Sequence, residues 1–296
     1  MRKIAGEWRM ISFALWFFLI NFIFLFSLKM KPIQLIYQVD AFTTKPFSGN
    51  PAGVCILDQE PEGAWMQNIA MEMNLSETSF VFPGSNGKRL IRFFTPESEI
   101  YLCGHATLSA SHILYETGAA VAGEEITFSS KAGDLHIRKQ DDWILMNFPA
   151  FSLYRIEITP EFKTITGIEP LELYETRQGW TLALLKDEDE VRNLRPFLSL
   201  MKNSKFGDMI VTAPSADSRY DFCLRCFAPA LGIDEDPVTG SAHCALVPFW
   251  VEKLGKTSFI SHQISKREGI LKVALKKNRV EISGQAVTIF KAELYA

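Results

Sequence analysis

Arg92-Phe-Phe-Thr-Pro96 and Arg225-Cys-Phe-Ala-Pro229 are two versions of one phrase. Each follows an apolar run with strand character. Each leads through a short acidic segment to a Gly-x-Ala helix start, Gly104-His105-Ala106 and Gly240-Ser241-Ala242. Ordered repetition of strand, proline, acidic segment and glycine-led helix points to duplication. It predicts two similar domains that face each other.

The flanking segments read as α+β. In the first half, residues 35–40, 78–82, 89–94, 125–130, 135–138 and 143–148 have strand patterns, with a turn-rich Pro83-Gly-Ser-Asn-Gly-Lys88 between two of them. Residues 61–74 predict a helix with Trp65, Ile69 and Met73 at four-residue spacing, stopped at Asn74. Residues 105–117 predict another, ended by Gly118. A crossover begins near Pro149. Strands follow at 180–185, 209–213 and 220–227, then a helix over 241–254 that Pro248 is expected to kink. Strands over 259–294 close the chain, the final one able to return to the first domain. The expected division is 31–149 plus about 284–296, against 150–283. No βαβ alternation or dinucleotide glycine fingerprint occurs, which argues against a nicotinamide enzyme.

Residues 1–30 are expected to lie outside this fold. Arg2, Lys3 and Arg9 precede an apolar run over 10–27 that is long enough to cross a membrane. No small-x-small cleavage site precedes Lys29, and Met30 opens directly onto a natural domain start. A leader dispensable to the working protein is therefore expected, in a cytoplasmic enzyme; a single-span membrane anchor is the alternative. Net charge of −3 gives no basic field for nucleic acid. Five scattered cysteines, at 55, 103, 223, 226 and 244, suit a reducing compartment without disulfides. Cys223 and Cys226 have redox spacing, but they fall within a strand and read as buried packing residues.

Three polar clusters carry the chemistry. Glu77 lies between Ser76 and Thr78, beside Leu75, Phe80, Val81 and Phe82. Apolar neighbours are expected to raise its pKa and fit it to take and return a proton. His105 opens a helix behind Gly104, where unpaired N–H groups and the helix field can hold an anion. That field is expected to keep the imidazole neutral. Asp236 precedes Pro237 in a segment read as an acidic loop, and Thr239-Gly240-Ser241 opens the second helix. Ordinary readings compete: an edge-strand glutamate, a capping histidine, a solvated acidic loop. The last is kept for Asp234 and Glu235 but not for Asp236. His243 and Cys244 read as packing residues, and His112, His136 and His262 receive no role. A metal set of His105, Asp236 and His243 lacks close ligand spacing, so no metal is expected.

At these residues the chain resembles the phenazine-biosynthesis (PhzF-like) isomerase family. The resemblance rests on Gln38-Val-Asp-Ala-Phe42, Phe47-Ser-Gly-Asn-Pro51, Ser76-Glu-Thr78, Arg92 to Pro96, Cys103-Gly-His-Ala-Thr107 and Glu235 to Ala242, and runs from about Ile36 onward. It implies a diaminopimelate-epimerase-like fold: two pseudo-symmetric α+β domains, each a sheet wrapped around a central helix, with the site between them. It also implies a cofactor-free, usually dimeric enzyme. By match to the motif, Glu77 resembles the family's proton-shuttling acid/base. His105 and Asp236 resemble its substrate-orienting partners, and Ser76, Gly104, Gly240 and Ser241 its substrate contacts. Related epimerases use two thiols; here Cys103 falls near the first position, while the second region carries Asp236-Pro237. One-base proton movement on a small carboxylic acid is the expected function. A small-acid-binding or regulatory protein that kept the cleft without turnover is the alternative.

Overall fold

The computed structural model describes residues 34–295. Its strands in the first half are β1 (Gln34–Ala41), β2 (Asn50–Ile56), β3 (Glu77–Pro83), β4 (Arg89–Phe94), β5 (Glu99–Ile100), β6 (Ile126–Ser130), β7 (Gly133–Gln140) and β8 (Trp143–Pro149). Those of the second are β9 (Leu153–Ile156), β10 (Glu172–Thr176), β11 (Thr181–Leu184), β12 (Met209–Pro214), β13 (Phe222–Ala228), β14 (Ile233–Asp236), β15 (Ser258–Gln263), β16 (Gly269–Lys276), β17 (Arg279–Gly284) and β18 (Ala286–Leu294). The helices are α1 (Gly63–Met73), α2 (Gly104–Glu116), α3 (Pro160–Thr166), α4 (Glu188–Asn193), α5 (Leu198–Met201) and α6 (His243–Leu254).

The duplication is written in the strand pairing. In the first half β1–β2 is antiparallel, β2–β3 parallel, β3–β4 antiparallel, β4–β6 parallel, and β6–β7–β8 antiparallel. In the second, β10–β11, β11–β12, β12–β13, β13–β15 and β15–β16–β17 repeat that order of directions. The halves join where β8 pairs antiparallel with β17, Met146 opposite Ile282. β9 pairs antiparallel with β10 inside the second half, and β18 crosses to pair with β1 of the first. The α+β expectation agrees with this architecture.

Each sheet wraps a helix that is apolar or small on nearly all sides. In α2, Ala106, Leu108, Ala110, Ile113 and Leu114 are fully buried, together with the hydroxyl residues Thr107, Ser109 and Ser111. Small side chains let the strands close around it. Thr107 and Ser111 satisfy their hydroxyls on the carbonyls of Cys103 and Thr107, one turn back. In α6, Ala245, Leu246, Val247, Phe249 and Trp250 are buried. Pro248 lies inside α6, so its ring leaves the Cys244 carbonyl without its helical donor. Phe151 N–H donates to that carbonyl at 2.8 Å instead, tying α6 to the crossover. The peripheral α1 stops at Asn74, which takes a left-handed conformation (φ 49°) and returns its N–H to Ala70. Its buried stripe is Met66, Ile69 and Ala70; Trp65 and Met73 are half-buried, so the expected stripe is offset by about a residue.

The repeated arginine has a physical reason. Arg92 forks onto Glu99 with two hydrogen bonds of 2.8 and 2.7 Å, and Arg225 onto Glu235 with 2.7 and 2.8 Å. Each guanidinium also lies over the phenylalanine two residues on, 5.3 Å from Phe94 and 4.8 Å from Phe227. The segment read as an acidic loop is therefore a strand, β14, and Glu235 is the partner of a buried arginine rather than a solvated charge. Cys223 and Cys226 are buried strand residues of β13, free of disulfides, as expected. Among the described residues no helix is long and apolar enough to cross a membrane. The apolar run over 10–27 lies outside the described residues.

Candidate active site

Gln67, on α1, donates to the Thr95 and Pro96 carbonyls and pins the helix to the end of β4. The chain leaves α1 at Asn74 and enters β3 with Glu77, whose register partner on β2 is Ala52. This places Glu77 at the mouth of the sheet, 9% exposed. His105, the second residue of α2, is 6% exposed, and its Nε2 stands 3.1 Å from Glu77 Oε2 and 3.4 Å from Ser76 Oγ. Its Nδ1 stands 3.4 Å from the Cys103 thiol and 3.3 Å from Asn50 Nδ2.

Asn50 carries the network into the second half. Its amide donates to Asp236 Oδ1 at 2.8 Å and to the Val238 carbonyl at 2.9 Å. Thr239 donates its hydroxyl to Asp236 Oδ2, and Gln263 braces the turn by donating to the Asp236 carbonyl (2.8 Å) and accepting from Thr239 N–H (2.8 Å). Asn50 is itself held in place by Arg267, which donates to the carbonyls of Gly49 and Ser48 and pairs with buried Asp40. Glu77, His105, Asn50, Asp236 and Thr239 thus form one polar chain.

A cavity of about 330 Å³ opens beside this chain, lined by Glu77, Cys103, Gly104, His105, Asp236, Thr239, Gly240 and Ser241. Its far wall is apolar, with Phe148, Phe151, Trp180 and Leu231. Both glycine-led starts reach it, and neither α2 nor α6 has a side-chain N-cap; α1 and α5 lack one too, while α3 and α4 are capped by Thr159 and Asp187. At α6 the His243, Cys244 and Ala245 N–H groups are already spent on the Gly240, Ser241 and Ala242 carbonyls, so the amides able to hold an anion are those at the α2 start and in the Gly240–Ala242 turn ahead of α6.

The titration states differ from those expected. Burial, the largest single influence, favours neutral Glu77, but the charge of His105 together with the polar contacts of His105, Ser76 and Cys103 outweighs it and lowers the carboxyl below its ordinary value. Burial likewise disfavours charge on His105, yet Cys103 and Glu77 together raise it well above the ordinary imidazole range. Glu77 is the partner that acts at neutral pH, because burial, with the Glu77 charge, pushes the Cys103 thiol up and keeps it uncharged. The resting pair is carboxylate and imidazolium; the expected raised Glu77 and neutral His105 are corrected. Local neighbours and the helix field are weaker than an ion partner at 3.1 Å. Asp236 is raised, chiefly by burial, against the lowering by His105 and Thr239.

The cavity brings together six of the expected residues, Glu77, His105, Asp236, Gly104, Gly240 and Ser241, with Ser76 behind His105. His243 is elsewhere: its Nδ1–H faces the Thr239 and Gly240 carbonyls and its Nε2 accepts from Ser261 at 2.7 Å, so it packs and cannot join His105 around a metal. The Thr239 hydroxyl is spent on Asp236, which leaves Ser241 as the hydroxyl open to the cavity. Thr239, rather than Asp236, precedes Gly240 as Cys103 precedes Gly104, so the position matching Cys103 carries no thiol; the other cysteine that lines the cavity is Cys244, on α6. Asn50 was not singled out beforehand; its only signal was its place in Phe47-Ser-Gly-Asn-Pro51.

The phenazine biosynthesis-like protein family profile (PhzC-PhzF) matches residues 39–292. An uncharacterized isomerase of Halalkalibacterium halodurans is 45% identical over 260 residues, covering 88% of this chain and 97% of its own. One from Pseudomonas aeruginosa is 43% identical over 253 residues, covering 86% and 95%. The crystal structure of a PhzF-family protein of Enterococcus faecalis, 40% identical, superposes on 89% of this chain and 100% of its own with a TM-score of 0.85. With this fold and these relatives, the chain belongs to the phenazine biosynthesis-like family and to its isomerase class.

Proposed function

We propose that this isomerase moves a proton on a small carboxylic acid by one-base catalysis through Glu77, without a cofactor. The observation that carries the reading is the state of Glu77 Oε2. It is buried at the cavity and receives no aligned hydrogen bond among the described residues, although His105 Nε2 is 3.1 Å away. A buried carboxylate oxygen left open is costly unless it has chemistry to do.

The substrate carboxylate sits between the start of α2 and the Gly240–Ala242 turn ahead of α6, held by the N–H groups there. Its body lies against Trp180, Phe148 and Phe151, so the acid has a flat or apolar part next to its acidic C–H. Arrival of this anion raises the proton affinity of Glu77, which the resting imidazolium holds low. Glu77 then takes the proton from carbon. The charge left on the conjugated system faces protonated His105, while Asp236 holds a polar substituent. Glu77 returns the proton to another carbon on the same face. General acid–base catalysis of this kind supplies about 10²–10⁴-fold, and positioning in the dry cavity supplies more.

The test is incubation with a panel of unsaturated and cyclic acids in deuterated water, read by mass spectrometry, with a substrate labelled at the acidic carbon for transfer without washout. Wild-type protein exchanges or transfers the label and Glu77→Gln does not. A confirmed substrate turned over equally by the folded variant rejects the mechanism.

A further inference from the structure

We propose that Glu77, Cys103 and His105 form a binding site for a thiophilic divalent cation, with Zn²⁺ the fitting metal. One ligand atom from each residue, a carboxylate oxygen, a thiol sulfur and an imidazole nitrogen, lies within 4.8 Å of the others, and all three residues are buried. His105 Nε2 is 3.1 Å from Glu77 Oε2 and 3.9 Å from Cys103 Sγ. Tetrahedral bonds of about 2.0–2.3 Å to oxygen, nitrogen and sulfur set ligand-to-ligand edges of about 3.3–3.6 Å. The resting trio, with edges of 3.1 and 3.9 Å and a third within 4.8 Å, reaches that shape by side-chain shifts alone.

The donor chemistry selects the metal. A sulfur, a nitrogen and one oxygen suit Zn²⁺ and its first-row neighbours, whereas Mg²⁺ and Ca²⁺ require shells of oxygen. Binding releases two protons to solvent, one from the Cys103 thiol and one from the His105 imidazolium, and the resulting thiolate and the Glu77 carboxylate cancel the charge of the divalent cation. Glu77 Oε2 is one of five buried side-chain atoms without a hydrogen-bond partner among the described residues, and of these it alone belongs to the trio; a cation gives it a partner. The cavity beside the trio provides the entry path and leaves the fourth coordination position to water or a bound acid. The three residues come from the β3 start and the α2 start, so no backbone rearrangement is needed to assemble them.

A cation here holds the oxygen that proton transfer needs and keeps the enzyme idle. That consequence rests on the role proposed for Glu77; the binding itself does not.

Cobalt is the probe, because thiolate ligation to Co²⁺ gives a near-ultraviolet charge-transfer band and four-coordination gives strong visible absorption. Titration of the full chain with Co²⁺ is expected to develop both, at one equivalent, and Zn²⁺ is expected to abolish them while Mg²⁺ does not. Cys103→Ala removes the charge-transfer band and weakens Zn²⁺ binding by more than the roughly 10–100-fold that loss of a supporting residue costs. Cys223→Ala leaves both unchanged. Absence of the band in wild-type protein overturns the site, and so does a band that persists in Cys103→Ala. If Cys103→Ala does not fold, Cys103→Ser gives the same reading through loss of the sulfur band. Binding that leaves turnover of a confirmed substrate untouched sinks the Glu77 role and keeps the site.

Discussion

Gly104 and Gly240 meet across the cavity: a Cβ added to Gly104 would come 3.9 Å from the Cα of Gly240. The two helix starts are thus brought nearly into touch, and their absent side chains make the room a carboxylate needs. The two glycines respond differently to a methyl group. Gly104 has nothing closer, so Gly104→Ala is expected to leave stability unchanged or raise it by up to about 1 kcal/mol, while KM rises. At Gly240 the methyl meets the buried Phe42 ring at 3.1 Å, so Gly240→Ala is expected to cost about 1–3 kcal/mol. Urea melts of both variants beside their kinetics separate the two effects.

The Glu77–His105 pair sets a testable protonation state. The raised His105 contributes stability that is complete below its ordinary 6.5 and is lost as pH rises through the folded value. The lowered Glu77 contributes stability that is complete above its ordinary 4.5 and is lost as pH falls through the folded value. The pair therefore stabilises fully between the two ordinary values. In Glu77→Gln the opposing charge is gone and burial governs His105, so its imidazole is expected to lose its proton at lower pH. NMR titration of the ring nitrogens reads this directly, and an unmoved His105 curve contradicts the pairing.

His243 makes the fold acid-sensitive. Burial lowers its imidazole from 6.5 to about 4, against the pull of the Thr239 and Gly240 carbonyls. As pH falls below 6.5 the unfolded chain takes up a proton that the folded chain refuses until about 4. Stability is thereby lost on acidification, by about 3 kcal/mol once both values are passed. His243→Gln is expected to start less stable but to show a flatter dependence of unfolding free energy on pH across that window.

Asn50 is expected to matter more than a buried amide ordinarily does. Asn50→Ala leaves Asp236 and the Val238 carbonyl without their donor, at a stability cost of about 1–3 kcal/mol. It also removes the side chain packed between His105 and Asp236, so kcat is expected to fall further than KM changes. Equal losses of kcat in Asn50→Ala and in Gln263→Ala, which braces the same turn from behind, would mean that Asn50 is only scaffolding.

The two repeated arginines are not equally costly to replace. Arg225 is 8% exposed and also donates to the Val191 and Leu194 carbonyls at the end of α4, whereas Arg92 is more open and has a second, exposed partner in Glu60. Lysine cannot reproduce the fork. Arg225→Lys is expected to cost about 1–3 kcal/mol and Arg92→Lys about 1 kcal/mol or less, by thermal or urea unfolding.

Those arginines also show why the fold was legible. The phrase around Arg92 recurs around Arg225 because one local device, a guanidinium forked onto a returning strand over a phenylalanine, was needed twice. Glycine-led helix starts were legible for the same reason, since their chemistry lies in consecutive residues. Asn50 was not, because its partners lie 55, 186 and 188 positions away and nothing nearby records them. The pKa directions were misread for a related cause. Apolar neighbours of Glu77 are visible in sequence, but the histidine that reverses their effect is a long-range partner. Asp234 and Glu235 looked like a loop because an acidic run conceals a strand when its counter-charge sits in another segment.

The pairing of β18 with β1 has a temporal side. During synthesis β1 emerges first among the described strands, and its partner β18 emerges last. Until then one flank of the newborn sheet has no mate, and an open flank is a template for mispairing with other chains. Ribosomal output of this protein should therefore lean on chaperones up to the final residues, and trimming β18 should aggregate the product rather than yield a tidy fragment.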